Sequence, residues 1–161
     1  MKLKDIENLT IYFEDLNVGD TFITPGRTVT EADVTNFAAL SADWNRLHVD
    51  AEFARQSQFG QRIAHGLLVL SIVSGLTTRL PLIKFIEKSL IALANLECRW
   101  LKPTFIGDTI HAVVEIADKK LSSKGDRGII IMKRTGMNQR GETVMESEWK
   151  LSMRTRTRAG A

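Results

Sequence analysis

The chain has 161 residues, of which 43% are hydrophobic, and a formal net charge of +3 from 22 basic and 19 acidic residues. This length predicts one domain over residues 1–161, with an N-terminal arm at 1–11 and a basic C-terminal tail at 154–161. The small charge excess argues against a nucleic-acid partner, and no apolar run approaches the roughly 20 residues of a membrane span. The single Cys98 excludes an internal disulfide and, without a signal-peptide core at the N-terminus, predicts a cytoplasmic protein.

The first predicted elements are a strand and a helix. Residues 21–24 lie between two turns that contain glycine, which is typical of a short strand. Thr30 and Asp33 have the spacing of a capping box, in which each side chain accepts a hydrogen bond from the backbone amide of the other residue. A helix should therefore begin after Thr30 and continue through Leu40.

The connector 41–49 holds the most informative residues. Asp50 is placed to cap the next helix, so the connector itself should be irregular. In a continuous helix Asp43 and His48 would point about 140° apart, because each residue turns about 100°. A turn at Asn45, whose side chain can bond nearby backbone, would aim both at one point. The sequence therefore predicts a loop that displays an acid and an imidazole together.

A long apolar helix and an antiparallel meander complete the predicted elements. The helix is expected at 63–79, where small residues interrupt the apolar surface and would let sheet backbone approach it. Alternating hydrophobic residues predict strands at 92–100, 110–116, 129–134 and 143–154. A long helix between an early strand and several later strands predicts an α+β fold, in which a curved antiparallel β-sheet wraps around a long central α-helix.

Four segments in combination resemble the MaoC-like dehydratases, the hotdog-fold family of (R)-specific enoyl-CoA hydratases. These segments are 28–33, 43–48, 63–67 with its Ala-His-Gly, and 102–108. The resemblance covers the chain from about Tyr12 to about Met153. The family pattern has glycine before the acid and proline after the asparagine, where this chain has Ala42 and Arg46.

The resemblance implies an activity and the residues that carry it. The activity is the reversible hydration of a 2-enoyl thioester to an (R)-3-hydroxyacyl thioester, a hydro-lyase reaction of fatty acid metabolism on CoA or acyl carrier protein. Asp43 and His48 are implied to hold the catalytic water jointly, with Asp43 as the base. The Gly66 amide is implied to bind the thioester oxygen, Asn45 to hold the turn, and Ser74 to support the site.

The resemblance also implies what accompanies the active site. No metal or other cofactor is expected, since the CoA thioester is itself the substrate. A homodimer or higher homo-oligomer is expected, because a partner can cover the edge of a curved sheet. Lys84, Arg99 and Lys102 are candidate contacts for the CoA phosphates.

Structural explanations for several of these residues stay open. His65 is a candidate for binding the substrate beside Gly66 and ranks well below His48 as a base, but at a helix start it is equally expected to be structural. Gly66 can simply allow close packing of helix and sheet, and Ser74 can bond back to its own helix. Trp44 and Trp100 are expected to be core residues.

Other functions also stay open. The same fold could serve an acyl-CoA thioesterase, or a non-catalytic acyl-binding or partner subunit in which Ala42 and Arg46 mark drift from catalysis. Arg46 could instead pair with Asp50 or meet an anionic substrate. A metal site built from Asp43, His48, Asp50 and His65 is not expected, because no recognised ligand spacing is present.

Overall fold

A six-stranded antiparallel sheet forms the frame of the protein in the computed structural model, which describes residue 6 and residues 8–156. The strand order is β1-β4-β5-β6-β3, and the short β2 pairs with the start of β4. The strands are β1 (Thr21–Ile23), β2 (Arg27–Thr28), β3 (Leu90–Trp100), β4 (Thr109–Leu121), β5 (Arg127–Met137) and β6 (Thr143–Arg154). The predicted meander is confirmed for β4, β5 and β6, whereas β3 pairs with β6 and not with β4.

One long helix packs across the concave face of this sheet. The helices are α1 (Glu31–Ser41), α2 (Arg46–Val49), α3 (Ala51–Arg55), α4 (Gly66–Thr78) and α5 (Pro81–Ile86), and a 3-10 turn covers Phe13–Asp15. The buried residues of α4 recur at helical spacing, so that one side of the helix meets the sheet: Leu68, Val69, Ile72, Val73, Leu76 and Thr77. The predicted α+β architecture of a sheet around a central helix is confirmed.

Three element boundaries differ from the predictions. The central helix begins at Gly66, because Ile63 instead forms a bridge with Phe105. Between the predicted helix and the predicted strand at 92–100 lies α5, which Pro81 opens at a position where proline loses no helical hydrogen bond. The strands β4 and β5 are longer than predicted, because a tight turn closes their hairpin with the Ser122 amide donating to the Arg127 carbonyl at 2.9 Å.

Both predicted terminal segments lie partly outside the described residues. In the predicted arm 1–11, the Ile11 amide donates to the Phe85 carbonyl at 2.9 Å, and residues 1–5 and 7 are not described. In the predicted tail, Arg154 ends β6 and the Arg156 guanidinium pairs with Asp15, whereas 157–161 are not described. Within the described part of the chain, no helix has the length and apolar character needed to cross a membrane.

Candidate active site

The chain turns sharply at Ala42 to leave α1. Ala42 has φ 58° and ψ 20°, and it is the one non-glycine residue with positive φ in the described part of the chain. This left-handed conformation costs an L-residue about 1–2 kcal/mol, whereas glycine adopts it freely. This chain therefore makes the turn with alanine, at the position where the family pattern has glycine.

Asn45 organises the next few residues and brings His48 into position. Its Oδ1 accepts a hydrogen bond from the Leu47 amide at 3.0 Å, and its carbonyl accepts from the His48 amide at 2.9 Å. The prediction of a wholly irregular connector is wrong for residues 46–49, which form α2. Asn45 is the reason, because its side chain supplies the acceptor that the first helical turn lacks.

Arg46, which replaces the family proline, pairs with Asp50. Its Nε and Nη2 donate to Asp50 Oδ2 at 3.0 and 2.8 Å, and its guanidinium lies 4.3 Å from the ring centre of Phe53. The other oxygen of Asp50 caps α3 by accepting from the Phe53 amide at 2.9 Å, as predicted. The Phe53 amide first, and then the Arg46 guanidinium, hold the pKa of Asp50 below its ordinary value. Of the two predicted partners for Arg46, Asp50 is the one observed.

Asp43, His48 and His65 converge on one point. Each offers a side-chain oxygen or nitrogen, and these atoms lie within 4.8 Å of one another. The two imidazoles are stacked, with ring centroids 3.8 Å apart and planes inclined by 30°. The loop and the start of α4 therefore form a single cluster, as the sequence predicted for Asp43 and His48.

Backbone carbonyls fix the tautomers of both imidazoles. His48 Nδ1 lies 2.8 Å from the Ile63 carbonyl, and His65 Nε2 lies 3.0 Å from the Asp43 carbonyl. Since a carbonyl only accepts hydrogen bonds, each of these nitrogens carries the proton in the neutral ring. This leaves His48 Nε2 with a free lone pair, which is the form that a general base or a water-binding group needs.

His65 is the buried member of the cluster. It is 2% exposed, whereas His48 is half-buried and Asp43 is exposed. Burial lowers the pKa of His65 below the ordinary value for histidine, so the ring is held neutral. Its Nδ1 is buried with no hydrogen-bond partner among the described residues. A neutral ring between the Asp43 backbone and the His48 ring matches the structural explanation left open for His65.

The donor set of this cluster is chemically suited to a divalent cation, since two imidazoles and a carboxylate are common zinc ligands. The stacking of the rings opposes that use. The lone pair of an imidazole nitrogen lies in the plane of its ring, so two stacked rings inclined by 30° are poorly arranged to bind one tetrahedral ion together.

The start of α4 lies beside this cluster and against the end of β3. Gly66 is the first helical residue, so its amide has no acceptor within the helix. Trp100 Nε1 donates to the Gly66 carbonyl at 2.8 Å, and a Cβ on Gly66 would lie 2.9 Å from indole atoms. The absence of a side chain at Gly66 therefore allows Trp100 to pack closely against the helix start. The Gly66 amide points out of the helix and is free for a ligand.

A cavity of about 320 Å³ borders Gly66. Trp100 is 46% exposed at its wall, so the prediction of a core residue is wrong for Trp100, as it is for the exposed Trp44. Lys102 also borders the cavity, and its Nζ pairs with Glu142 at 2.7 Å. The cavity thus joins an aromatic wall and a cation to the amide of Gly66.

Ser74 stands apart from the cluster. It follows Gly66 by eight residues on α4, which places it about 12 Å further along the helix axis, and it is half-buried. No hydrogen bond among those described joins it to Asp43, His48 or His65. The structure therefore brings together five of the six predicted site residues, namely Asp43, Asn45, His48, His65 and Gly66.

Comparison with known proteins identifies relatives of this chain. The family model described as MaoC like domain matches residues 15–138. Protein MaoC of Klebsiella aerogenes is 32% identical, over 91% of this chain and 40% of that protein. The 3-hydroxybutyryl-CoA dehydratase of Methylorubrum extorquens is 37% identical, over 67% of this chain and 65% of that protein. The (R)-specific enoyl-CoA hydratase of Rhodospirillum rubrum is 33% identical, over 85% of this chain and 88% of that protein. The chain thus spans less than two thirds of the first two relatives.

Solved structures show the same fold. The MaoC-like dehydratase from Rhodospirillum rubrum superposes with a TM-score of 0.81 at 32% identity, over 91% of this chain and 98% of that one. A conserved protein of Mycobacterium tuberculosis with a double hotdog fold superposes with a TM-score of 0.78 at 18% identity, over 94% of this chain and 46% of that one. The predicted hotdog fold is confirmed.

Proposed function

Because this chain belongs to the MaoC-like domain family, we propose that it catalyses the reversible hydration of a 2-enoyl-CoA to an (R)-3-hydroxyacyl-CoA. One observation carries the proposal. The Asp43 carboxylate and the imidazole of His48 lie within 4.8 Å of one another, and the first amide of α4, that of Gly66, has no acceptor within its helix. An acid–base pair beside a free amide is the equipment that water addition to a thioester requires.

Each group has a part in the proposed reaction. A water held between Asp43 and His48 Nε2 gives a proton to the carboxylate, and its oxygen forms the bond to C3. Negative charge then grows on the thioester oxygen, where the Gly66 amide and the positive end of α4 stabilise it. The pair returns a proton to C2, so the elements of one water are added across the double bond. The reverse sequence eliminates water from the 3-hydroxy thioester.

The cavity beside Gly66 supports a thioester with a long polar arm. Its volume of about 320 Å³ and its Trp100 wall suit a phosphopantetheine chain, which both CoA and acyl carrier protein carry. Lys102 lies at its margin, and its ammonium group would bind a phosphate of the substrate in place of Glu142. Arg99 instead pairs with Glu146 at 2.8 Å.

A second copy of the chain is part of the proposal. Strand β3 ends the sheet, with β6 as its neighbour on one side only. Large apolar residues are exposed along it and just after it: Ile91, Leu93, Trp100 and Leu101. Pairing with a second β3 would cover this edge and close the cavity beside Trp100.

Cys98 is a free thiol, which supports a reducing cytoplasmic location.

The test is the loss of enoyl-thioester absorbance when the purified protein meets crotonyl-CoA. We expect Asp43→Asn and His48→Ala to lose at least ~100-fold in kcat, since each removes a group that transfers or holds a proton. Glu52→Gln is the matched control, because it changes an exposed acid on α3 whose one ion pair among the described residues is with Arg55. Full activity in both site variants would contradict the proposal, and release of free thiol from a saturated acyl-CoA would favour a thioesterase.

A further inference from the structure

An arginine is buried in the core without a counter-ion. Arg134 on β5 is 5% exposed, and no ion pair among the described residues includes it. Its Nε is buried without a hydrogen-bond partner, and its Nη2 has only the sulfur of Met132 at 3.7 Å. Burial of an unpaired charge is strongly unfavourable, and a hydrophobic side chain of similar size would be more stable here. A function other than stability is the reason to examine this residue.

The guanidinium is held flat and remains charged. It lies 3.7 Å from the ring centre of Trp149, whose Nε1 is occupied by a hydrogen bond to Ser147 Oγ at 2.9 Å. Burial lowers the pKa of Arg134 to about 10, so the group is still a cation at neutral pH. The indole covers the planar face of the guanidinium, while the N–H donors at the edge of the guanidinium stay available for an anion.

Arg134 faces the central helix. Its neighbours at alternate positions of β5 are buried on the same side, and a Cβ on Gly136 would lie 3.0 Å from Val73 of α4. The charged end of Arg134 therefore lies in the space between the sheet and α4.

The strand register connects this position to the candidate active site. Trp100, which contacts Gly66, pairs with Met145, and Met145 pairs with Gly136. The next inward-facing row of the sheet consists of Cys98, Ser147 and Arg134. Arg134 is thus one row, or about 7 Å, along the strands from the row that contains Trp100. It is also two strands, or about 10 Å, across the sheet from Trp100, which contacts Gly66.

The helix side of this space is loosely covered. Gly66, Leu70 and Ser74 recur every four residues, so they share one side of α4, and all three are half-buried. The neighbouring side, at Val69 and Val73, is fully buried. The half-buried side of α4 therefore starts at the Gly66 amide and lies next to the side that meets the sheet and the row of Arg134.

We propose that Arg134 binds a carboxylate at the far end of the acyl group, so that the substrate class is a 2-enoyl-CoA with a distal carboxylate. This inference rests on the proposed function and names its substrate. With the thioester oxygen at the Gly66 amide, the acyl group extends along this side of α4, and its far carboxylate meets the guanidinium edge. Paired N–H donors of an arginine match the two oxygens of a carboxylate, and the ion pair supplies the missing counter-ion.

The kinetic test compares carboxylated and plain substrates of equal chain length. The substrates are glutaconyl-CoA against pent-2-enoyl-CoA, and hex-2-enedioyl-CoA against hex-2-enoyl-CoA. We expect the wild type to prefer the carboxylated member of at least one pair in kcat/KM, and Arg134→Met to lower that ratio by at least ~100-fold. Lys133→Met is the matched control, since Lys133 is adjacent on β5 but half exposed near Glu146, and its ratio should equal that of the wild type. An unchanged ratio in Arg134→Met overturns the proposal.

A binding measurement separates this inference from the proposed function. Calorimetry with glutaryl-CoA and pentanoyl-CoA needs no turnover, and the wild type should bind glutaryl-CoA more tightly while Arg134→Met binds both alike. That result without hydration of any enoyl-CoA would retain the inference and reject the hydratase. Hydration of plain enoyl-CoA with no preference in rate or binding would do the reverse. If Arg134→Met fails to fold, as a thermal melt would show, an absent preference in the wild type alone rejects the proposal.

Discussion

His65 lies flat against His48, with the two ring centroids 3.8 Å apart. The same imidazole bonds the Asp43 carbonyl through its Nε2 at 3.0 Å. One buried, neutral ring therefore contacts the backbone of one proposed catalytic residue and the side chain of the other. We therefore propose that His65 is a positioning residue, which sets the distance between Asp43 and His48 while neither giving nor taking a proton.

Two substitutions at His65 separate its two contacts. His65→Phe keeps a flat ring against His48 but loses the bond to Asp43, and we expect kcat for crotonyl-CoA to fall about 10–100-fold, because small misplacement of reacting groups is costly. His65→Gln keeps a donor near the Nε2 position and should retain more activity than His65→Phe. The KM should change less than kcat in both. Undiminished kcat in His65→Phe would show that the bond to Asp43 does not matter.

The buried neutral state of His65 also predicts how stability depends on pH. Its pKa is lowered in the folded protein, so the unfolded chain binds a proton at a higher pH than the folded chain does. The contribution of His65 to the free energy of unfolding should then be greatest above the ordinary histidine pKa of about 6.5. It should decrease as the pH falls below that value toward the pKa of the folded state. Urea unfolding at pH 7.5 and pH 5.5 measures this change. The comparison with His65→Phe isolates it, and an equal decrease in that variant would assign the loss to other groups.

The elements that the sequence predicted well are those set by local chemistry. The box between Thr30 and Asp33 is formed, with the Thr30 amide 2.8 Å from Asp33 Oδ2, and both partners lie within one helical turn. Asp50 caps α3 for the same reason. Alternation along the strands depends only on which residues face the helix, so it was visible without a structure.

The features that were not predicted depend on residues distant in sequence. Helix α4 begins at Gly66 and not earlier, because Phe105 and Thr104 hold Ile63 and Ala64 in extended backbone. That segment then provides the Ile63 carbonyl for His48 Nδ1. The stacking of the two histidines and the exposure of Trp100 follow from this docking, which no local pattern in the sequence encodes.

Ala42→Gly should stabilise the protein. Ala42 holds φ at 58°, so removal of its Cβ relieves steric strain that outweighs the added freedom of the unfolded chain. We expect a gain of about 0.5–1.5 kcal/mol in the free energy of unfolding, measured in urea. Ala39→Gly is the matched control, because Ala39 is exposed inside α1, where glycine costs about 1 kcal/mol. Changes of the same sign at both positions would contradict this account of the turn.

Arg46→Pro should be tolerated, because the backbone is already suited to proline. Arg46 is the first residue of α2, and the preceding Asn45 has φ −55° and ψ 133°, in the extended region that proline requires of its neighbour. The ion pair with Asp50 is exposed and contributes little to stability, and the restricted unfolded chain offsets its loss. We expect unfolding within about 0.5 kcal/mol of the wild type and retained hydration of crotonyl-CoA. A large rise in KM would instead assign Arg46 to substrate binding.

The contact between Gly66 and Trp100 can be tested with a double-mutant cycle. Gly66→Ala puts a methyl group 2.9 Å from the indole, so either the ring or the helix start must move, at a cost of about 1–3 kcal/mol in stability. In a Trp100→Leu background the same change should become neutral or stabilising by up to about 1 kcal/mol, because alanine favours the helix over glycine. The hydration rate gives an independent reading, since Gly66→Ala retains its amide. If the double variant regains stability but not kcat, then the indole, or its hydrogen bond to the Gly66 carbonyl, contributes to catalysis as well as to packing. If both stability and kcat recover, the role of Trp100 is limited to the packing of α4 on β3.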